Sequence, residues 1–384
     1  MADESAFKAR KTNAQEYKAL WFDNILRAVD RIRNLSLTRV YIGRCPALVP
    51  KRAVIFFPVY PSTLSCGLTG IVAFTSASPT DDSVNMEHLE TLVGRIGNQG
   101  YQECLAGNKP FKTHYLCGKE IIDSLFDITR RLKRNSSFHS VYTDPDLRVK
   151  IEGLASRIHR TIEKEAQCLA DHMGRIDARD AEIISGRIEG LKDILWCLRM
   201  EVLSNVEKLK GLMKQTDGET SCEMLAIYKQ INTVLNSIDR LEVRGRDSAG
   251  ISLMAILGPA DFASFEKTLI QNSWTEEFES RQNQEALVNL GINVNLAIKN
   301  QVSLTFTYKV AAEIGSLGDN IRYLRRQIGS DRILGLLMRF PLINHTISVH
   351  TRWASVGAIS EPNCHPVDNG TANGKNGNPG VIHA

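Results

Sequence analysis

The run LEVRGRDSAGI, residues 241–251, decides how this chain is read. It closes a stretch of helical periodicity, 220–241, and opens an apolar stretch of strand character, 251–257. Gly245 and Gly250 punctuate the change, as a helix-to-strand turn requires. A plain turn accounts for the two glycines and leaves the charged residues between them unexplained.

Outward from this turn the chain has two textures. Upstream, from Met86 to Met213, it is rich in Leu, Ile, Glu, Lys and Arg, and its only prolines are Pro110 and Pro145. Ile151, Leu154, Ile158, Ile162, Leu169 and Met173 predict one helix, and Ile184, Ile188, Leu191, Leu195, Leu198, Val202, Val206 and Leu209 predict a second. Neither buries its stripe alone, so the two, separated at 174–180, are expected to pack as an antiparallel hairpin. Downstream, strands are expected at 251–257, at 302–310 with Val302, Leu304 and Phe306 alternating, and at 346–350. Helices are expected between them at about 262–300 and 312–336.

The first 65 residues combine an amphipathic helix at 14–34 with β-branched and proline-punctuated segments at 39–59. Residues 66–75, CGLTGIVAFT, read as a buried strand entered through small residues. The Asn/Gly-rich run 367–380 is a loop, and 381–384 reads as a strand cut short.

Bulk properties exclude several function classes. Of the 384 residues, 47 are basic and 43 acidic, a net +4, which gives no general case for a nucleic-acid or anionic-membrane partner. The lopsided basic run within the first 55 residues reads as a solvated helix face. Eight cysteines without paired CxxC spacing fit a reducing, cytoplasmic setting, with neither a disulfide scaffold nor a metal site expected. No secretory signal or membrane-spanning run is evident. The Cys and His residues of the helical stretch lack ligand spacing, and buried thiols and surface imidazoles are their ordinary explanation.

Three segments carry chemistry. The first is CGLTGIV, 66–72; the second is the run 241–251; the third is HTRWASVG, 350–357, followed by Ser360, Glu361, Asn363, His365 and Pro366. Together, and in this order, they resemble the class II glutamine amidotransferases, whose nucleophile is an N-terminal cysteine. Within that family they are most similar to the glutaminase half of the glutamine:fructose-6-phosphate aminotransferases. The second segment is similar to the family's LEYRGYDSAGI, departing at Val243 and Arg246, and the third to HTRWATHG…SExNAHP, departing at Ser355 and Val356.

The resemblance implies an α+β fold of the Ntn-hydrolase type, an αββα sandwich incomplete at its C-terminus. Residues 66–85 and 219–384 would form the amidotransferase domain, 86–218 a large helical insertion, and 1–65 an N-terminal extension or propeptide. Cys66 would be the catalytic nucleophile. Arg352, Trp353, Ser355 and His365 would bind L-glutamine, and Arg244, Gly245 and Asp247 would form the turn beside the nucleophile. The chemistry suits the residues: an activated thiolate attacks an amide, and a planar guanidinium pairs with a carboxylate. No cofactor is implied.

The ammonia would aminate a sugar phosphate, fructose 6-phosphate, on isomerase domains outside this chain. The helical insertion would serve a homo-oligomer or another partner. Cys66 follows 65 residues, so a free α-amino base requires cleavage between Ser65 and Cys66. The family's Asn-Gly oxyanion pair would lie beyond Ala384, because Asn369 and Gly370 come too early. Val356 stands where the family has histidine, which keeps open a catalytically silent glutamine-binding or scaffold protein. An amidophosphoribosyltransferase-like enzyme is a further alternative, although Asp247 and Trp353 are closer to the aminosugar branch.

Overall fold

Strict alternation along Val302–Ala311 gives the sheet two chemically different faces. Val302, Leu304, Phe306 and Tyr308 point one way, and Ser303, Thr305, Thr307 and Lys309 the other. This strand belongs to a five-stranded antiparallel sheet in a computed structural model that describes residues 67–74, 84–172, 174–216, 218–242, 245, 247–282, 288–296, 300–311, 316–352, 359–368 and 381–382.

The strands are β1 (Gly67–Phe74), β2 (Ser248–Leu257), β3 (Ile292–Leu296), β4 (Val302–Ala311) and β5 (Asn344–Arg352), in the order β1-β5-β2-β4-β3. Register fixes the faces. Ile71 stands opposite Ile347, Val349 opposite Ile251, and Leu253 opposite Phe306, so these side chains share the apolar face with Leu304 and Tyr308. On the reverse face, Ser252 Oγ and Ser348 Oγ lie 2.8 Å apart across the β2–β5 pair. Two short strands, β6 (Val367–Asp368) and β7 (Val381–Ile382), pair as a separate antiparallel ribbon.

Helices precede β2 and separate the later strands. They are α1 (Met86–Gly97), α2 (Tyr101–Ala106), α3 (Phe111–His114), α4 (Lys119–Arg131), α5 (Asn135–Thr143), α6 (Pro145–His172), α7 (Ala178–Trp196), α8 (Ser204–Leu212) and α9 (Cys222–Leu241). After β2 come α10 (Pro259–Gln271) and α11 (Thr275–Gln282), and between β4 and β5 come α12 (Asp319–Ser330) and α13 (Arg332–Leu337). Side-chain caps start several of them: Asp177 Oδ1 accepts from the N–H groups of Arg179 and Asp180, and Ser221 Oγ accepts from Met224 N–H at 3.1 Å.

α6 packs along α7 as the expected hairpin. The first stripe is buried from Ile151 to Ile162, and the second from Ile184 through Leu191. Ile194, not Leu195, then takes the core position, and a π-helical stretch, Cys197–Leu203, joins α7 to α8. Apolar residues at four-residue spacing drift around an α-helix of about 3.6 residues per turn. A wider π turn absorbs that drift and keeps Leu198, Val202 and Val206 buried.

The apolar face of the sheet is covered by α9 and α12, with α13 beside them. Ile227 and Ile231 of α9 and Leu334 and Leu337 of α13 line one small space with Leu253, Phe306 and Ile347 of the sheet. One buried apolar cluster continues from the sheet through α9 into the helices at 86–212. Burying each such side chain contributes about 1.5–3 kcal/mol, so the helical stretch and the sheet stabilise a shared core.

The fold is therefore mixed α+β. The strands expected at 66–75, 251–257, 302–310 and 346–350 correspond to β1, β2, β4 and β5, of which β2 and β5 run a few residues longer, at 248–257 and 344–352. The helical expectation over 262–300 is corrected: α10 and α11 end at Gln282, and Ile292–Leu296 forms β3 at the sheet edge. Ile292, Val294 and Leu296 alternate with Asn293 and Asn295, a period of two that pairing with β4 satisfies and a helix would not. The helix at 14–34, the strands at 39–59 and the proposed extension 1–65 lie outside the described residues. Among the described residues no helix is long and apolar enough to cross a membrane.

Candidate functional site

β5 draws the three sequence segments together. Gly67, which follows Cys66 in the chain, stands opposite Thr351, and Arg352 stands opposite Ser248. The Asp247 N–H donates to the Arg352 carbonyl at 3.2 Å, which extends the β2–β5 ladder into the turn. Gly245 is buried against the same strand end, and a Cβ there would lie 3.0–3.1 Å from Thr351 and Arg352 backbone atoms. Its N–H donates to the Glu242 carbonyl at 3.0 Å. The turn between α9 and β2 is thus fastened to the end of β5, and glycine at 245 allows that contact.

The third segment folds back over the polar face of the sheet. Across that face, register aligns Lys309, Gly250 and His350 in one row. Gly250 leaves a gap in the row, and the His365 carbonyl and Pro366 ring fill it, so that a Cβ on residue 250 would collide with them. The His365 ring meets the His350 ring edge to face at 4.6 Å. The His365–Pro366 peptide is cis.

Arg352 is at the end of the same face. Its Nη1 donates to the Asn363 carbonyl at 2.6 Å, which orients the guanidinium toward the returning segment. Glu361 Oε1 accepts from the Asn289 N–H at 2.5 Å, and Asn289 Oδ1 accepts from the Lys309 N–H at 2.8 Å. Residues 361–366 are thereby held to both β5 and β4.

Of the sequence-selected residues, Arg352, His365, Gly245 and Asp247 converge on the end of β5 and the adjoining polar face. Cys66, Trp353, Ser355 and Arg244 lie outside the described residues. Sequence reasoning assigned no role to Lys309, His350 or Cys364, which surround His365. The alternation of β4 was the available signal for Lys309, since a lysine in phase with Ser303, Thr305 and Thr307 must share their face.

Cys364 is buried at 1% exposure, and its Sγ lies 3.3 Å from the Ala249 carbonyl and 3.7 Å from the Val310 carbonyl. Burial pushes the thiol above the usual range, against the opposing pull of Ser248 and Lys309. A protonated thiol donating to carbonyls anchors the segment and is no nucleophile. The returning segment and the sheet thus bring a guanidinium, two imidazoles and a buried lysine together around a polar sheet end. No protein-family model matches the chain, and neither a curated protein nor a solved structure matches it.

Proposed function

We propose that this chain carries a glutaminase site of the class II amidotransferase type, built on an Ntn-hydrolase-like αββα core of which the five-stranded sheet is one layer. The observation that carries the reading is the convergence on β5. Segments separated by about 170 and 100 residues in the sequence meet at Thr351 and Arg352, as a site formed from the three motifs requires.

In this mechanism the Cys66 thiolate attacks the side-chain amide carbon of glutamine. The carbon–nitrogen bond breaks, and ammonia leaves as a thioester forms. Water then hydrolyses the thioester, releasing glutamate and returning the thiol. Arg352 holds the α-carboxylate of the substrate, and His365 shapes the pocket over Gly250. The base is the α-amino group of Cys66, freed by cleavage after Ser65. The ammonia passes to a sugar phosphate, fructose 6-phosphate, bound by isomerase domains outside this chain.

Intact mass and N-terminal sequencing of the protein from its native host, combined with an ammonia-release assay on glutamine, test this directly. A chain beginning at Cys66 that releases ammonia supports it, with the release abolished by Cys66→Ala. An uncleaved chain that binds glutamine calorimetrically without releasing ammonia would instead support a silent glutamine-binding or scaffold protein. Val356, in place of the family's histidine, favours that second reading. Supplying fructose 6-phosphate or phosphoribosyl pyrophosphate to the intact protein separates the aminosugar branch from the amidophosphoribosyltransferase-like one.

A further inference from the structure

A second polar site lies away from β5, between α8, α9 and α12. Here a cleft of about 390 Å³ is lined by Lys208, Asp239, Leu317, Gly318, Ile321, Arg322 and Arg325. Arg325 donates from Nη1 to Asn232 Oδ1 at 2.8 Å and from Nη2 to Asn236 Oδ1 at 2.9 Å. Lys208 Nζ donates to the same Asn236 oxygen at 2.7 Å. Asn205 orients both amides, accepting from Asn232 Nδ2 at 2.9 Å and Asn236 Nδ2 at 3.0 Å, so their carbonyl oxygens face the cations.

Two like charges thus converge on one neutral oxygen. Among the described residues, neither Lys208 nor Arg325 has a carboxylate within 4.0 Å. Nearby acids are otherwise engaged: Asp319 pairs with Arg322 at 3.0 Å and accepts from the Ser316 N–H, and Glu242 accepts from the Gly318 N–H. Asp239 remains as the lone carboxylate lining the cleft. Burial lowers the Arg325 pKa to about 10, and Asp239 opposes that shift. Arg325 is partly buried and Lys208 exposed, and Asp239, the carboxylate that acts on both, forms a close ion pair with neither, so an anion that joins them adds the charge-assisted contact each lacks.

We propose that this cleft binds a small phosphate-monoester anion. A phosphate monoester carries about −1.5 to −2 charge at pH 7 and three acceptor oxygens, matching the remaining donors of two cations that have no carboxylate within 4.0 Å among the described residues. Asp239 accepts from a hydroxyl on the organic part of the ester. The volume lies within the roughly 300–1,000 Å³ usual for small-molecule sites. This site is independent of the glutaminase proposal, shares none of its residues, and is testable without activity.

The experiment is calorimetric titration of the full chain with glycerol 3-phosphate, inorganic phosphate and glycerol at about 0.15 M salt, where loose surface attraction is screened. Saturable binding of glycerol 3-phosphate is expected, tighter than that of inorganic phosphate, with no binding of glycerol. Lys208→Gln and Arg325→Gln should each weaken it about tenfold or more, the loss of one charge-assisted contact. Lys192→Gln, on α7, should leave it unchanged. No saturable binding of the ester, or equal weakening by Lys192→Gln, overturns the proposal. Equal affinity for inorganic phosphate overturns the ester and assigns the cleft to the free anion. Should Arg325→Gln fail to fold, Lys208→Gln decides alone.

Discussion

Gly250 and the His365 carbonyl occupy adjoining space on the polar face of the sheet, where a Cβ on residue 250 would stand 2.9 Å from that carbonyl carbon and 3.0 Å from Pro366 Cδ. Gly250→Ala must therefore lift the segment that holds His365 or bend β2 beneath it. Overpacking of this kind typically costs about 1–3 kcal/mol. The expected result is a lowered urea midpoint and loss of the proposed glutamine turnover. Gly153→Ala is the control, because a Cβ there meets nothing within 4 Å inside α6. It should raise stability by about 0.5–1 kcal/mol through helix propensity. An unchanged midpoint in Gly250→Ala would show that the segment yields without cost.

Arg281 and Asp331 form a two-pronged buried pair, with Nη1–Oδ1 at 3.0 Å and Nη2–Oδ2 at 2.6 Å. Tyr308 donates its hydroxyl to Asp331 Oδ2 at 2.8 Å, and Asp331 Oδ1 caps α13 by accepting from the Ile333 and Leu334 N–H groups. One carboxylate thus ties α11, β4 and α13 together. Asp331→Ala strands the guanidinium, the phenol and the helix end at once. A loss of about 3–5 kcal/mol is expected, as for removal of one partner of a buried ion pair. Chemical denaturation measures it, and a loss below about 1 kcal/mol would assign Asp331 to a surface-like role.

The parts of the fold legible in the sequence are those governed by local periodicity. The α6 and α7 stripes, the alternation of β4 and the turn at 245–250 follow from residue spacing alone. β3 was missed because five residues flanked by helical composition carry too little signal, and pairing with β4 decides their state. Leu195 and Ile194 exchanged places because the π-helical stretch shifts the phase, which no α-helical period anticipates. At the candidate site, Arg352 and His365 were singled out by their motif, and the fold places both segments at the end of β5. Lys309 and Cys364 were not, since their proximity depends on how β4, β2 and the returning segment stack.

Glu165 predicts a pH dependence in the helical region. It is 1% exposed within α6 and accepts from the Tyr101 N–H at 2.8 Å. Burial raises its pKa above the usual carboxylate range, although the Tyr101 N–H and Lys164 oppose the shift. A carboxyl with a raised folded pKa binds its proton more tightly in the folded state. Its stabilising effect is complete below the unfolded value of about 4.3 and is lost as pH rises through the folded value. Unfolding free energies measured upward from about pH 4 should therefore decline more steeply in the wild-type chain than in Glu165→Gln, which retains an acceptor for Tyr101 and does not ionise. Parallel profiles would rule out Glu165 as the source.

Arg352 supplies the most direct test of the substrate side of the site. Its Nη1 is held by the Asn363 carbonyl at 2.6 Å, and its strand position is fixed by pairing with Ser248. Arg352→Lys keeps the positive charge and loses the planar fork that matches a carboxylate. A charge-assisted hydrogen bond contributes about 1.5–3 kcal/mol, so the Kd for glutamine should rise roughly 10- to 100-fold. In the proposed site the contact is to the α-carboxylate, which does not change during amide cleavage, so it would be made equally in ground and transition states. KM should therefore rise while kcat changes little. Calorimetry reads the affinity whether or not the protein turns substrate over, and the ammonia-release assay supplies kcat where it does. An unaltered Kd would remove Arg352 from the binding site, whereas a fall confined to kcat would place it at the reacting amide.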